Sequence, residues 1–336
     1  LDVVYNHVGE PNFLLHLDKQ YFFHIAPNGE LMNWSGCGNT LRAEAAMSTR
    51  LICESLAYLV ERFDVDGFRF DLAELIGVEV LKQVENALKA VKPGIILIAE
   101  PWSFRGHIAA DLKQTGWAFW NDGFREFLPR YLRGRGNADG IKYYLSGCLS
   151  HLTRYPAQSV NYIESHDDRT FIDKITENAH HDGSHPTERD THRAHLAIGI
   201  MMCSLGIPMI AQGMDWLRSK HGKNNTYLDG AENALRYHEA EQRAHTARYW
   251  RSWIRFRLSE YGQVFRLWER PGDGYTRYFD AHGCTAVAAW WNPDHRMGPC
   301  EVLFAVNPHT DRRARFHLGG LDPHGWTQLA NRHDFN

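Results

Sequence analysis

The sequence predicts an α/β fold, in which a parallel sheet built from repeated strand–helix units is followed by a small antiparallel β domain. Over the first two thirds of the chain, short apolar and β-branched runs alternate with segments whose apolar residues recur at helical spacing. The run at 95–99 (IILIA) is apolar throughout, as expected for a parallel strand that is covered on both faces. In the last part of the chain, alternating segments are separated by turn residues, which is typical of antiparallel strands.

Six strands are predicted in the parallel part, at residues 1–5, 68–70, 95–99, 117–120, 159–163 and 207–211. An open doubly wound sheet would need a glycine-rich phosphate-binding turn, and the sequence contains none. A (β/α)8 TIM barrel has eight such strands. Because the chain begins at Leu1, directly inside a strand-like run, we expect a barrel that lacks its first two βα units and a chain whose true N-terminus is missing.

The domain boundary is predicted after a long helical stretch at about 239–260. Beyond it, segments 286–291 and 301–306 have the pattern of antiparallel strands. We therefore predict a catalytic barrel over residues 1–262 and a small antiparallel β-sandwich domain over residues 263–336, which is expected to be incomplete at its end.

The composition argues for an uncharged substrate. The formal net charge is −3 and no Lys/Arg-rich run stands out, so neither a nucleic acid nor a membrane is expected as a partner. No apolar run reaches the roughly 18 residues that cross a bilayer. Six scattered cysteines predict reduced, buried thiols rather than a disulfide framework or a zinc site, which favours a cytoplasmic location. The oligomeric state is left open.

Three carboxylates, Asp71, Glu100 and Asp167, directly follow predicted strands. The chemistry of a TIM barrel lies at the C-terminal ends of its strands, although one such aspartate alone is more often a helix cap. The 29 residues from Asp71 to Glu100 make about one βα unit, which predicts neighbouring strands. Two carboxylates about 5 to 5.5 Å apart can perform retaining glycoside hydrolysis.

The surroundings of these carboxylates suggest separate roles. Arg69 lies two residues before Asp71 and therefore on the same strand face, where its charge would keep Asp71 ionised as a nucleophile. Glu100 follows an apolar strand and would face two anions, conditions that favour the protonated form of a general acid. Asp167, beside His166, could bind sugar hydroxyls and oppose the positive charge of an oxocarbenium-like transition state.

At these residues the sequence resembles the α-amylase superfamily, glycoside hydrolase family thirteen, in four short motifs that occur in the family's order. The motifs are DVVYNH at 2–7, DGFRFD at 66–71, AEPW at 99–102 and SHDD at 165–168. The resemblance implies that Asp71 is the nucleophile, Glu100 the general acid/base and Asp167 the transition-state stabiliser. It also implies that His7, Arg69 and His166 line the sugar subsite at the cleavage point, with Asp2 as structural support.

Two aromatic residues near strand ends, Tyr5 and Trp102, are predicted to bind substrate by stacking on sugar rings. Most aromatic residues of a globular protein belong to its core instead. The third motif strengthens the prediction for Trp102, which lies two residues after Glu100.

Within the superfamily, the chain resembles the debranching group. It has Glu74 and Leu75 where α-amylases proper tend to carry Lys-His after the nucleophile. The segments EPW at 100–102, SGCGN at 35–39 and WND at 120–122 are similar to isoamylases and glycogen debranching enzymes, and YIESHD at 162–167 is closer to pullulanases. The resemblance implies hydrolysis of α-1,6 branch linkages in glycogen, starch or pullulan, through a covalent glycosyl-enzyme intermediate. A departure is GMDW at 213–216, where relatives usually show Gly-Asp-Glu.

Several alternatives stay open. Within the superfamily, an α-1,4-acting amylase and a transglycosylase use the same residues, and a non-catalytic barrel could bind glycans. A metal-dependent hydrolase on the same barrel would need ligands, and only the pairs His181/His185 and His192/His195 have suggestive spacing. We therefore assign no metal ligand and expect no required cofactor. Calcium binding through Asn6 and loop carboxylates is left open, although the spacing matches no calcium loop.

Overall fold

The computed structural model describes residues 1–336, the whole chain. The chain divides into two compact units. The first comprises residues 1–120 and 151–154, and the second comprises residues 121–150 and 155–336. The predicted domain boundary at 262/263 stays a prediction.

The first unit is a parallel sheet covered by helices. Its parallel strands are β1 (Asp2–Val3), β4 (Gly67–Phe70), β5 (Ile96–Ala99) and β6 (Ala118–Asn121), hydrogen-bonded in that order. A short antiparallel pair is formed by β2 (His7–Val8) and β3 (Asn39–Thr40), and the helices are α1 (Leu14–Phe22), α2 (Ala46–Phe63) and α3 (Val78–Val91). Two 3-10 turns, Ala73–Leu75 and Asp111–Gln114, complete the unit.

Helices α2 and α3 form because their apolar residues recur every three or four positions and give each helix one apolar face. The buried residues of these faces are Ile52, Leu56 and Val60 in α2 and Val80, Leu81, Val84 and Leu88 in α3. Both faces pack in one core with the strand residues Phe68, Phe70, Leu97 and Ala99. Each large side chain buried there contributes roughly 1.5 to 3 kcal/mol to folding.

The strand register places the residues after β4 and β5 at one edge of the sheet. Val3 of β1 is opposite Phe70 of β4, and Phe70 is opposite Ala99 of β5. The next residues along β4 and β5 are Asp71 and Glu100, which therefore leave the sheet at the same level.

Gly67 provides a test of the close contact between β4 and β5. A Cβ atom on Gly67 would clash with the backbone oxygen of Ile96, so the strands would have to move. We expect Gly67→Ala to destabilise the protein by about 1 to 3 kcal/mol, the usual effect of overpacking. Gly94→Ala is the matched control because a Cβ atom there meets nothing within 4 Å. Equal melting temperatures for the two variants would contradict this expectation.

The second unit combines a short parallel strand pair with helices and a separate antiparallel sheet. The pair is β7 (Ser159–Asn161) and β8 (Ile207–Pro208), and the sheet contains β9 (Thr276–Asp280), β10 (Val287–Trp291) and β11 (Val302–Val306) in the order β11-β10-β9. The helices are α4 (Asp122–Leu132), α5 (Ala138–Leu145), α6 (Phe171–Ile175), α7 (Glu188–Met202), α8 (Gly230–Asn233), α9 (Tyr237–Gln242) and α10 (Ala244–Leu258). The 3-10 turns are Pro156–Gln158, Met214–Trp216 and Tyr261–Phe265.

A buried arginine connects α10 to the segment before β8. The guanidinium of Arg257 donates hydrogen bonds to the carbonyl oxygens of Met202 and Ser204 at 2.6 and 2.9 Å, and also to that of Phe265 at 3.0 Å. Met202 and Phe265 are the last residues of α7 and of a 3-10 turn, where carbonyl groups have no partner within the helix. The charged side chain therefore satisfies backbone groups that burial would otherwise leave unpaired.

The observed structure confirms a mixed α/β protein with parallel strands and a separate antiparallel sheet. All six predicted parallel strands are present as β1 and β4 to β8, although β1, β7 and β8 are shorter than predicted. The helical stretch predicted at 239–260 is divided into α9 and α10 at Arg243, whose backbone angles (φ −110°, ψ 28°) leave the helical region. Segments 286–291 and 301–306 contain β10 and β11.

All six cysteines are free, with Cys148 and Cys203 buried and Cys37 exposed. None of the helices has both the length and the apolar character needed to cross a membrane.

Candidate active site

One buried arginine holds three carboxylates at the edge of the first unit's sheet. Nη1 of Arg69 donates to Oδ1 of Asp71 at 2.9 Å and to Oδ1 of Asp2 at 2.8 Å. Nη2 of Arg69 lies 2.9 Å from Oε2 of Glu100. The Trp120 ring covers the guanidinium at 4.2 Å, a cation–π contact. The predicted nucleophile and acid/base are therefore brought together at the two ends of one guanidinium.

Backbone hydrogen bonds fix the positions of both carboxylates. The Asp71 N–H donates to the carbonyl of Val3 at 3.0 Å, and the Glu100 N–H donates to the carbonyl of Phe70 at 2.9 Å, so both residues continue the parallel ladder. The two side chains differ in burial, since that of Asp71 is 24 % exposed and that of Glu100 is 4 % exposed. Asp71 is thus the more accessible carboxylate of the pair.

The guanidinium of Arg69 stays charged in this setting. Burial alone would lower the pKa of Arg69, but the negative charges of Glu100, Asp2 and Asp71 outweigh it and raise that pKa. Three carboxylates share this single cation. The site is therefore anionic, in keeping with a reaction whose transition state carries positive charge.

The surroundings of Glu100 differ from the sequence-based expectation, which considered neighbouring anions only. Its Oε2 atom accepts a hydrogen bond from the N–H of Leu72 at 2.7 Å, in addition to the contact with Arg69. Both contacts favour the carboxylate form of Glu100, whereas its burial favours the protonated form. The periodicity of the strands could not reveal that Arg69 reaches Glu100 as well as Asp71.

Asn6 is a site residue whose role the sequence reasoning missed. It is fully buried, and its Nδ2 donates to both the carbonyl oxygen and Oδ2 of Asp71, each at 2.9 Å. Because Oδ1 of Asn6 can only accept, Nδ1 of His7, 2.6 Å away, must carry a proton and donate to it. Asp71 therefore has a fixed donor on each oxygen, Arg69 on one and Asn6 on the other. The available signal was a polar residue inside the first motif, directly before His7.

The two predicted stacking residues of the first unit have different surroundings. The ring of Trp102 is half-buried, 6.4 Å from the Trp120 ring that covers Arg69. The Tyr5 hydroxyl instead lies 2.7 Å from Oγ of Ser55 in α2, and its ring packs 5.8 Å from that of Phe70. Trp102 therefore lies next to the carboxylate site, whereas Tyr5 contacts helix α2. Their roles in substrate binding stay predictions.

Asp167 and His166 belong to the second unit, on the loop that follows β7. Their side chains are 49 % and 61 % exposed, and Oδ2 of Asp167 lies 3.4 Å from Nε2 of His166. The Asp167 N–H donates to Oγ of Ser165 at 3.3 Å. The next residue, Asp168, has a left-handed backbone with φ of 58°. The predicted pair is therefore adjacent and presented to solvent on a tight turn.

No group of three or more His, Cys, Asp or Glu side chains in the structure is arranged to hold a metal ion. The histidine pairs considered in the sequence therefore have no third ligand of this kind. Whether the chemistry needs a cofactor, calcium included, stays a prediction.

Comparison with known proteins finds pullulanases and glycogen debranching enzymes among the relatives of this chain. The pullulanase of Bacillus subtilis (strain 168) is 32% identical over 256 residues, which cover 68% of this chain and 35% of that protein. A glycogen debranching enzyme of Salmonella paratyphi B is 29% identical and is matched over 87% of this chain and 51% of its own length. The solved structure of pullulanase type I from Bacillus subtilis complexed with maltose superposes with a TM-score of 0.79 and 26% identity, covering 90% of this chain and 46% of that one. No family model matches the chain.

These relatives confirm the predicted resemblance to the α-amylase superfamily. The relatives named above are debranching enzymes of that superfamily, as the segments around the carboxylates predict. The chain spans about a third to a half of the length of these relatives.

Proposed function

We propose that the protein is a retaining glycoside hydrolase that cuts α-1,6 branch linkages of α-glucans. The observation that carries this proposal is the pair Asp71 and Glu100 on one buried guanidinium, at the adjacent ends of two parallel strands. The similarity to a pullulanase and a glycogen debranching enzyme supports the α-1,6 linkage as the bond that is cut.

The proposed reaction has two steps. Asp71 attacks the anomeric carbon while Glu100 gives its proton to the glycosidic oxygen, so a carboxylate–carbon bond forms, the carbon–oxygen bond breaks and the leaving chain departs as an alcohol. Glu100, now a carboxylate, then takes a proton from water, and the resulting hydroxide attacks the anomeric carbon and releases Asp71. Two inversions give net retention of configuration.

The shared arginine suggests how Glu100 changes role between the steps. When Asp71 becomes a neutral ester, it no longer offsets the charge of Arg69. The guanidinium, 2.9 Å from Oε2 of Glu100, then favours the carboxylate form of Glu100 more strongly than before. That form is the general base which the second step needs.

Asp167, His166, His7 and Trp102 enter the proposal through their motifs. Asp167 would oppose the positive charge of the transition state, and the other three would bind the sugar. His7 has a defined tautomer for this purpose, because its Nδ1 proton is held by Asn6 and Nε2 is left to accept or exchange a proton.

The scaffold that we propose is a (β/α)8 barrel without its first two βα units over residues 1–262, followed by a β-sandwich domain over 263–336. Support comes from the parallel pairs within each unit, from carboxylates at the carboxyl ends of β4 and β5, and from the antiparallel sheet β9 to β11.

A substrate panel tests the proposed linkage. We expect the full-length protein to release linear maltooligosaccharides from pullulan and amylopectin and to leave amylose uncut, measured as new reducing ends. Faster cleavage of amylose would favour an α-1,4-acting amylase, and new branch points without net reducing ends would indicate transfer to a sugar hydroxyl. Binding without any turnover would favour a glycan-binding protein. Loss of activity in EDTA that zinc restores would favour a metal-dependent hydrolase.

A further inference from the structure

Buried charges lie beneath the loop that presents His166 and Asp167. Glu164 and Lys220 are each 1 % exposed, although their side chains are ionisable. Such residues are almost never fully buried unless they are paired. Neither has a part in the two-step reaction described above.

Glu164 closes the loop. Its Oε2 accepts a hydrogen bond at 2.6 Å from the N–H of Phe171, the first residue of α6. The contact joins the start of the loop to its end, and Asp167 lies between them. Nζ of Lys174 also donates to the carbonyl of Ile163 at 3.2 Å.

Lys220 holds the loop on the other side of Asp167. Its Nζ donates to the carbonyl oxygen of Asp168 at 2.6 Å, the residue whose φ is 58°. The backbone of Lys220 is itself fixed, because its N–H donates to Oδ2 of Asp173 in α6 at 2.8 Å. The backbone is thus held on both sides of Asp167, and its carboxylate is left 49 % exposed.

The charges of these residues are coupled. Arg218, Lys174 and Lys220 face Glu164, with Nη2 of Arg218 at 3.8 Å from Oε1. Burial raises the pKa of Glu164 to about 7, against the lowering effects of the Phe171 N–H and of these three cations. Burial likewise lowers the pKa values of Lys174 and Lys220. Removing one partner from such a set leaves uncompensated buried charge.

We propose that Glu164 and Lys220 are positioning residues, which fix the backbone on the two sides of Asp167 and so orient its carboxylate. They act through the loop and do not touch substrate. The inference rests on the proposed role of Asp167 in the transition state. A misplacement of about 1 Å can lower a rate by about 100-fold, so small shifts of this loop have large effects.

Three variants of the full-length protein test the inference with pullulan as substrate. Lys220→Met keeps the length of the side chain and removes its hydrogen bond to Asp168. Glu164→Leu removes the acceptor for Phe171, whereas Glu164→Gln retains an acceptor oxygen. We expect Lys220→Met and Glu164→Leu to lower kcat about 10- to 100-fold with KM changed less than threefold, because a transition-state interaction is weakened. Glu164→Gln should recover at least part of the loss seen with Glu164→Leu.

A double-mutant cycle separates positioning from general destabilisation. If Lys220 acts through Asp167, Lys220→Met should have little further effect on kcat in a protein that already carries Asp167→Asn. Independent, multiplying effects would overturn the inference. Lys223→Met is the matched control, since Lys223 is a half-exposed lysine of the same segment that pairs with Asp229 and Glu232 instead.

The pH dependence of stability gives a second readout. Because the folded-state pKa of Glu164 is about 7 and its ordinary value is 4.5, the folded protein binds the extra proton between these pH values. The contribution of Glu164 to the free energy of unfolding therefore falls as pH rises from about 4.5 through about 7. The melting temperature of Glu164→Gln, measured relative to that of the unmodified protein, should therefore increase as the pH rises from 5 to 8. A constant difference would contradict the buried, titrating state of Glu164.

The outcomes distinguish this inference from the proposed function. Full turnover in Asp167→Asn would contradict the proposed role of Asp167 in the transition state, and therefore also this inference. Loss of turnover in Asp167→Asn, combined with unchanged kcat in both Lys220→Met and Glu164→Leu, would remove this inference alone.

Discussion

Replacing Asp71 with asparagine is expected to lower kcat on pullulan by about 10,000-fold or more, which corresponds to about 5.5 kcal/mol of transition-state free energy. An amide cannot form the glycosyl ester, so the first step of the proposed reaction has no nucleophile. The substitution is nearly the same size, and the fold should therefore persist. New reducing ends measure the activity, and circular dichroism measures the fold.

The hydrogen bonds of Asp71 predict a moderate loss of stability in the same variant. Arg69 donates to one carboxylate oxygen and Asn6 to the other, and asparagine has in place of one of these oxygens an NH2 group, which cannot accept. Asp64→Asn is the matched control, because the side chain of Asp64 is 93 % exposed and ends α2 in a left-handed conformation that asparagine also adopts. Turnover of Asp71→Asn close to that of the control would exclude Asp71 as nucleophile.

Glu100→Gln is expected to lower pullulan turnover by about 100- to 10,000-fold, the usual contribution of a general acid and base. The size of the loss should depend on the leaving group. Fluoride departs without a proton, so α-maltosyl fluoride should still form the glycosyl-enzyme in Glu100→Gln, seen as a burst of fluoride release. Asp71→Asn should give no burst.

The contrast between the two substrates is the critical measurement. If Glu100→Gln lost fluoride and pullulan cleavage equally, Glu100 would have a structural role rather than an acid/base role. Glu79→Gln controls for the loss of a carboxylate, since the side chain of Glu79 is 81 % exposed at the start of α3 and pairs only with Lys82.

Much of the fold follows from the sequence because buried parallel strands need uninterrupted apolar runs and their covering helices need one apolar face. The apolar runs locate β4 and β5 to within one residue at each end. They also predict Asp71 and Glu100 at one edge, because parallel strands of similar length end together. The short strands β2 and β3 have no comparable pattern and were not predicted.

The contacts within the site could not be predicted because they join residues far apart in sequence. The hydrogen bond from Asn6 to Asp71 spans 65 positions, and that from Leu72 to Glu100 spans 28. Arg69 was expected beside Asp71 from strand geometry, but its second contact with Glu100 depends on the direction of a flexible side chain. The burial of Glu164 was likewise hidden, since three polar residues follow it directly in the motif.

The single guanidinium at the centre of the site has a consequence for how such a protein can evolve. Asp2, Asp71 and Glu100 all depend on Arg69, and an ammonium group in its place could not reach all three with fixed geometry. Removing one partner of the pair Arg69 and Glu100, whose two side chains are both buried, would cost about 3 to 5 kcal/mol, a large part of the 5 to 15 kcal/mol that holds a typical domain folded. Substitutions at these four positions are therefore epistatic. A lineage that abandons the reaction should lose Arg69 together with its carboxylates, and one that keeps Arg69 remains under selection for all of them.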